Sequence, residues 1–233
     1  MYYFPIALPF LLLFALLFFV LIIFIEIGIL RYAYERIGVG RRHMFALLIL
    51  SFLGSYVNIP IFQLPAHKVA SGEMVNFFGM LYVVPVVQDW PGTIVAVNLG
   101  GAVIPAFLSI YLMVKNRLYR SGLVAVAIVT FFVHLMAYPV HGVGIAIPVF
   151  IPPLIATVIA LFLSRQYAAP LAYMAGSLGT LLGADILNLG RVQALGAPVA
   201  SIGGAGTFDG IFMTGILSVL MASLMTGRRS TVR

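Results

Sequence analysis

The sequence contains no cysteine, and only 8% of its residues are charged. The absence of cysteine excludes disulfide bonds, thiolate metal ligands and a thiol nucleophile. The scarcity of charge excludes an ordinary water-facing surface, because about a quarter of the residues of a soluble domain are charged. It also leaves no folded polar domain to carry a basic nucleic-acid surface. The formal net charge of +7 therefore does not predict a nucleic-acid partner.

Apolar residues are abundant. They make up 63% of the chain, and the mean hydropathy is +1.14. They fall in runs long enough to cross a bilayer, which takes about 20 residues each. We therefore predict an all-α fold, a polytopic transmembrane helical bundle that forms a single domain over residues 1–233. The predicted location is the cell membrane, with the lipid bilayer as the main partner.

Seven spans are predicted, roughly at 4–30, 44–64, 92–114, 121–140, 143–164, 168–189 and 203–226. The first is interpreted as a retained span, because it is too long for a signal-peptide core and has no basic region before it. Eleven of the thirteen Lys and Arg residues fall in the connections after spans one, three and five and in the C-terminal tail. Because basic loops stay in the cytoplasm, this predicts an N-terminus outside and a C-terminus inside.

Two regions predict departures from regular helix. The connection 65–91 has a short apolar middle, which indicates a re-entrant or interfacial segment. At its end, Asp89-Trp90-Pro91 predicts a helix start capped by Asp89, with a catalytic role for Asp89 as the alternative. The fifth segment holds four prolines, which predict a broken or bent helix: Pro139, Pro148, Pro152 and Pro153.

Two aspartates, Asp185 and Asp209, lie in apolar, glycine-rich stretches of spans six and seven. An intramembrane carboxylate is costly and is a functional-site hypothesis by default. The connection 190–202 predicts a hairpin that brings the two carboxyls to similar depth, where they would share one proton and activate water. Alternatively, Asp185 pairs with Arg191 while Asp209 caps a broken helix.

The helical geometry around Asp185 sets a condition on that pair. On an ideal helix Asp185 points away from the glycine stripe of span six and lies beside leucines. Either that leucine-rich face packs against span seven, or the helix unwinds at Gly183.

Small and amide residues near the aspartates are candidates for contact with a substrate: Gly183, Asn188, Gly204, Gly206, Gly210 and Asn98. The histidines His67, His134 and His141 fall on the predicted outer side, but no metal-type spacing links them. No phosphate-loop motif and no His-Glu-x-x-His motif is present. We therefore expect no metal and no cofactor.

Three stretches, 97–105, 179–190 and 203–215, resemble a prokaryotic family of multispanning proteins known only as a domain of unknown function. The resemblance covers most of the chain and implies no activity.

An aspartate late in one span and a glycine-linked aspartate early in the next resemble, more distantly, the presenilin and signal-peptide-peptidase group of intramembrane aspartyl proteases. The resemblance implies Asp185 and Asp209 as the catalytic pair and a transmembrane peptide as substrate. That group also has a Pro-Ala-Leu element, whose closest counterpart is Pro105-Ala106-Phe107, and this implies a substrate-binding role for Pro105. The sequence departs from the group's pattern at Ala184, Thr207 and Phe208.

Two functional hypotheses follow. The first is an intramembrane aspartyl protease-like hydrolase in which Asp185 and Asp209 activate water. The alternative is a proton- or cation-coupled transporter or channel with its site at broken helices, with Asn58 and Asn98 along the path. A short Asp185–Asp209 separation beside a cavity would favour the hydrolase.

Overall fold

A computed structural model describes residues 14, 16–20, 29–65, 67–77, 80–90, 92–140, 144–192, 198–204 and 210–226. The α-helices from residue 29 onward are Ile29–Arg36 (α1), Arg41–Gly54 (α2), Ile104–Lys115 (α3), Tyr119–Met136 (α4), Ile151–Leu163 (α5), Ala168–Thr180 (α6), Leu189–Val192 (α7) and Gly210–Thr226 (α8). Two π-helical turns, Leu99–Val103 and Leu181–Asp185, and one 3-10 turn, Ile186–Asn188, adjoin them. The described chain is therefore mainly helical, as predicted.

Strands correct the all-α prediction. They are Asn58–Gln63 (β1), His67–Phe77 (β2), Met80–Trp90 (β3), Ile94–Asn98 (β4), Tyr138–Val140 (β5), Gly144–Ala146 (β6) and Val199–Ile202 (β7). Three of them form a sheet in which β4 lies between antiparallel β1 and parallel β7. The other four form two antiparallel hairpins, β2–β3 and β5–β6. Pairing satisfies the backbone groups that these segments would otherwise leave without partners.

Helix α6 lies at the centre of the bundle. Every residue of α6 except Leu178 is buried. It packs against α4, α5 and α8 through small residues, so that the backbones come close. A Cβ on Gly176 would lie 2.7 Å from Ser218 Oγ of α8, and one on Gly179 would lie 2.6 Å from Val129 Cγ1 of α4. Bulkier side chains at these positions would force the helices apart.

Large apolar side chains lie on the outside of the bundle. Phe107, Phe162 and Leu224 are 68%, 92% and 78% exposed. Two helical stretches of the described chain, Tyr119–Met136 and Ala168–Val192, are long and apolar enough to cross a membrane. The other apolar helices from residue 29 onward are shorter, so helix length alone does not give seven spans.

The basic connections gather at one end of the bundle. Lys115, at the end of α3, donates a hydrogen bond of 2.6 Å from its Nζ to the carbonyl of Gly38 in the α1–α2 connection. Arg36, Arg165 and Thr226 line one small cavity and join the ends of α1, α5 and α8 there. We call this the basic end, and we call the end with the three-stranded sheet the sheet end.

Several predicted boundaries are wrong, for related reasons. The predicted spans 44–64, 92–114 and 203–226 each combine a helix with an extended segment or a glycine turn (α2 with β1, β4 with α3, and the Gly203-Gly204 turn with α8). The connection 65–91 contains the β2–β3 hairpin. Asp89 lies in β3, so it caps no helix.

The fifth predicted span is not broken within its helix. Pro152 and Pro153 lie in the first turn of α5, where a missing N–H breaks no helical hydrogen bond. The remainder of that span is the short strand β6 and the residues between it and α5.

The close contact of α6 with α4 predicts a difference between two glycines. Gly179→Ala should lower the free energy of unfolding by about 1–3 kcal/mol, because the new methyl overlaps Val129. Gly190→Ala, whose Cβ would meet nothing within 4 Å, should change stability little. Thermal unfolding of the two purified variants measures both effects, and equal stability would contradict this account of the packing.

Candidate functional site

Two glycine pairs meet at the sheet end. The parallel strands β4 and β7 are each followed by a glycine pair, Gly100-Gly101 and Gly203-Gly204. A Cβ on Gly101 would overlap the carbonyl oxygen of Gly203, and one on Gly203 would lie 2.5 Å from Ala102 N. Gly203 also has φ of +90°, which L side chains rarely adopt. We call this contact the glycine crossing.

Asn98 holds the β4 side of the crossing together. The residue is fully buried, and its Oδ1 accepts a 2.8 Å hydrogen bond from Gly101 N, which caps the following π-helical turn. Its Nδ2 donates to Ser55 O at 2.7 Å and to Asn58 Oδ1 at 3.2 Å. Ser201 Oγ of β7 donates to the same Asn58 oxygen at 2.6 Å. These bonds form a polar chain from the buried Asn98 to the exposed Asn58.

Asp185 contacts the β7 side of the glycine crossing. Its Oδ2 accepts a 2.7 Å hydrogen bond from Gly203 N, and the side chain is half-buried. The helix of α6 widens into a π turn at Leu181–Asp185 and then tightens into the 3-10 turn. Because a π turn changes the angular spacing of side chains, Asp185 is not bound to the face that an ideal helix would give it.

The sequence left two alternatives for Asp185: packing of the leucine-rich face against span seven, or unwinding of the helix at Gly183. Each is found in part. The regular α-helix ends at Thr180, before Gly183. Leu178 and Leu181 also pack with Ile202 and Ile211, which flank the start of span seven. Irregular helix and leucine packing therefore act together rather than as alternatives.

Asn188 and Gly183, both predicted to contact a substrate, make close contacts within the fold. Asn188 is fully buried, and its Nδ2 donates to the carbonyls of Gly183 and Ala184 at 2.8 and 3.0 Å. It thus holds the irregular turns that carry Asp185. Gly183 lies against α4, since a Cβ there would be 2.6 Å from Thr130 O.

The remaining predicted site residues are Asp209, Gly206, Gly204, Gly210 and Pro105. Asp209 and Gly206 lie outside the described residues. Gly204 lies at the crossing with φ of +78°, and Gly210 begins α8 near Ile147. Pro105 is buried in the first turn of α3 and its carbonyl accepts a bond from Ser109 Oγ, so its contacts are those of a helix start. The predicted hairpin 190–202 contains strand β7 instead of a simple turn.

The three histidines are assigned to different parts of the chain. His67 begins β2, His134 lies near the end of α4, and His141 lies outside the described residues. The Nδ1 atom of His134 is buried with no hydrogen-bond partner. Within the described part of the chain, no group of three or more His, Asp or Glu side chains could hold a metal ion.

Sequence reasoning missed Ser55, Ser201, Gly101 and Gly203 as members of the site. Their role depends on the parallel pairing of β4 with β7, which lie about a hundred residues apart in sequence. A signal was present, because Val95-Ala96 and Val199-Ala200 are each followed within a few residues by Gly-Gly-Ala. Interpreting the first stretch as part of a helical span and the second as a connecting hairpin hid that similarity.

Comparison with known proteins gives one family. The family model described as "Protein of unknown function (DUF1614)" matches residues 52–221. The chain belongs to this family. The match includes both glycine pairs, Asn98 and Asp185, and it confirms the resemblance to an uncharacterised family. No curated protein and no solved structure matches the chain, and the resemblance to presenilins stays a hypothesis.

The hydrogen bonds of Asn98 predict its effect on stability in this DUF1614 protein. Asn98→Ala should cost about 2–4 kcal/mol, because it removes three bonds and leaves buried partners unsatisfied. Asn58→Ala should cost clearly less, since Asn58 is exposed and water can replace its contacts. Thermal unfolding of both variants tests this, and a larger loss for Asn58→Ala would reverse the assignment.

Proposed function

We propose that this chain is a multispanning protein of the cell membrane. The distribution of its side chains supports the proposal: small residues fill the contacts between helices, while Phe107, Phe131 and Phe162 face outward. Large apolar patches are rare on soluble monomers, whereas small-residue interfaces are typical of membrane helices.

Helices shorter than a full span are compatible with this proposal. The 12 residues of α3 rise about 18 Å and the 5 residues of β4 add about 17 Å. Together they exceed the hydrocarbon core of about 30 Å. Extended backbone at membrane depth is tolerated only where protein covers it, and here β4 has a paired strand on each side.

The proposed orientation has the basic end in the cytoplasm, following the positive-inside rule. Because the chain lacks cysteine, single cysteines can report it. We expect an impermeant maleimide to label Tyr138→Cys in intact cells, since exposed Tyr138 begins β5 beyond α4. Arg165→Cys, at the basic end, should react only after the membrane is permeabilised. Labelling of both variants, or of neither, in intact cells would contradict the topology.

We propose further that the protein moves protons or cations through a site at Asp185. The hydrogen bond of 2.7 Å between Asp185 and Gly203 N carries this proposal, because it fixes a carboxylate at a crossing of interrupted spans. Discontinuous segments of this kind are where membrane transporters bind coupling ions. The polar chain from Asn98 to the exposed Asn58 reaches the other side of the same crossing.

A second candidate is the intramembrane hydrolase. The same hydrogen bond favours the hydrolase for another reason. The Gly203 amide that donates to Asp185 begins the glycine-rich stretch that leads in sequence to Asp209. If that stretch carries Asp209 to Asp185, the two carboxyls would share a proton and could activate water.

The two functions predict different activities for the same variants. Asp185→Asn keeps an acceptor for Gly203 N–H, so the protein should fold, but the amide cannot exchange a proton. In liposomes with a trapped pH indicator and an imposed membrane potential, we expect ion-driven pH change for the wild type. The Asp185→Asn variant should show a pH change that is smaller by about tenfold or more.

The control for this experiment is Asp89→Asn, the same chemical change on β3, which should behave as wild type. Asp209→Asn belongs in the same series. A wild type that moves no ions but cleaves a transmembrane reporter peptide, with Asp185→Asn and Asp209→Asn both inactive, would select the hydrolase. Full transport by Asp185→Asn would remove Asp185 from the mechanism.

A further inference from the structure

A groove of about 650 Å³ lies between α2 and α3 and reaches the basic end. Its apolar part is lined by Leu47, Leu50, Phe107 and Leu108, of which Leu50 and Phe107 are exposed on the outside of the bundle. Its mouth holds Lys115 and His43, with Tyr111 beside them. The groove thus combines a long apolar stretch, open to the outside, with a polar, cationic rim at one end.

The two helices build this polarity by running antiparallel. Along α2, the lining positions 43, 47 and 50 follow one face from the basic end inward. Along α3, positions 107, 111 and 115 follow one face outward to the same end. The lining advances by seven residues along α2 and by eight along α3. At the rise of an α-helix this gives a groove about 11 Å long.

The cationic rim keeps donors for a ligand. Lys115 Nζ uses one hydrogen bond on the Gly38 carbonyl and lies 5.4 Å from the centre of the Tyr111 ring. An ammonium carries three donors, so this arrangement orients the charge without exhausting it. The exposed His43 adds a ring N–H on the facing helix.

The described part of the N-terminal helix packs elsewhere. Phe18 stacks on Phe52 of α2 with ring centres 4.3 Å apart. Phe52 is two residues after Leu50, so it points to nearly the opposite face of α2 from the groove. The Phe18–Phe52 contact therefore does not involve the groove face of α2.

We propose that this groove binds an anionic phospholipid, with its phosphate at Lys115 and His43 and an acyl chain along Leu47, Leu50 and Phe107. The occupant follows from charge complementarity at the rim and from the open apolar stretch beside it, which suits hydrocarbon rather than a soluble phosphate. Basic pockets between membrane helices on the cytoplasmic side are known positions for anionic headgroups. The inference rests on the proposed membrane location but not on ion movement or hydrolysis at Asp185.

The test is native mass spectrometry of the purified full chain in detergent, titrated with phosphatidylglycerol and phosphatidylcholine of identical acyl chains. We expect phosphatidylglycerol to bind more tightly. The double variant Lys115→Gln, His43→Gln should weaken it about five- to tenfold, as expected for the loss of a cationic contact. Arg120→Gln, which removes an exposed charge near the same end but outside the groove, should bind as wild type.

A second variant tests the apolar part without touching the charges. Ala46→Trp fills the groove at an exposed position and should weaken both lipids. An equal loss for Arg120→Gln and the double variant would mean diffuse surface charge and overturn the proposal. Unchanged binding by Ala46→Trp, or competition by glycerol 1-phosphate at the affinity of the lipid, would also overturn it. If the topology experiment gives the expected result and any of these results is also found, the membrane location would stand and only the proposed lipid site would be rejected.

Discussion

The close packing around α6 is the constraint on which the rest of the structure depends. Gly176 of α6 lies against Ser218 of α8, and Gly215 of α8 lies against Ser177 of α6, so each helix offers a small residue where the other offers a hydroxyl. Between α5 and α8, Thr157 Oγ1 donates to Ser218 O at 3.1 Å as well as to Pro153 O in its own helix. Where these small residues meet, the helices gain van der Waals contact and hydroxyl hydrogen bonds, beside a cluster of larger buried side chains that includes Leu171 and Met174.

That packing explains why the site lies at the sheet end. Near the basic end α6 is a regular helix, buried among its neighbours, and the connections are tied by bonds such as Lys115 to Gly38. Beyond Thr180 the helix widens, and the segments beside it become extended. Each interruption frees backbone groups that need partners, and strand pairing together with Asn98, Asn188 and Asp185 supplies them. The polar residues of the candidate site therefore stabilise the irregular backbone.

The sequence was informative where a property depends on composition or on charge along the chain. The mainly helical character, the family resemblance and the gathering of the basic connections at one end all agree with the structure. It failed where apolar, β-branched segments could be either helix or strand, as in Ile94–Asn98, since apolar runs give the same signal for both. Pro60 was a usable clue, because a proline at an irregular edge strand fits β1 better than the interior of a helix.

The sequence identified several residues of the candidate site but not how they are arranged in space. Asp185 and Asn98 stand out in the sequence because polar groups are costly among apolar neighbours, and both lie at the glycine crossing. Gly203 could not be assigned, because its role requires the pairing of β4 with β7 and a φ that only glycine adopts easily. Since the amide of Gly203 holds Asp185 while its carbonyl lies against Gly101, a shift at either glycine would move the carboxylate. The crossing thus links the position of Asp185 to the packing of both interrupted spans, a link that transport or hydrolysis at this site would equally require.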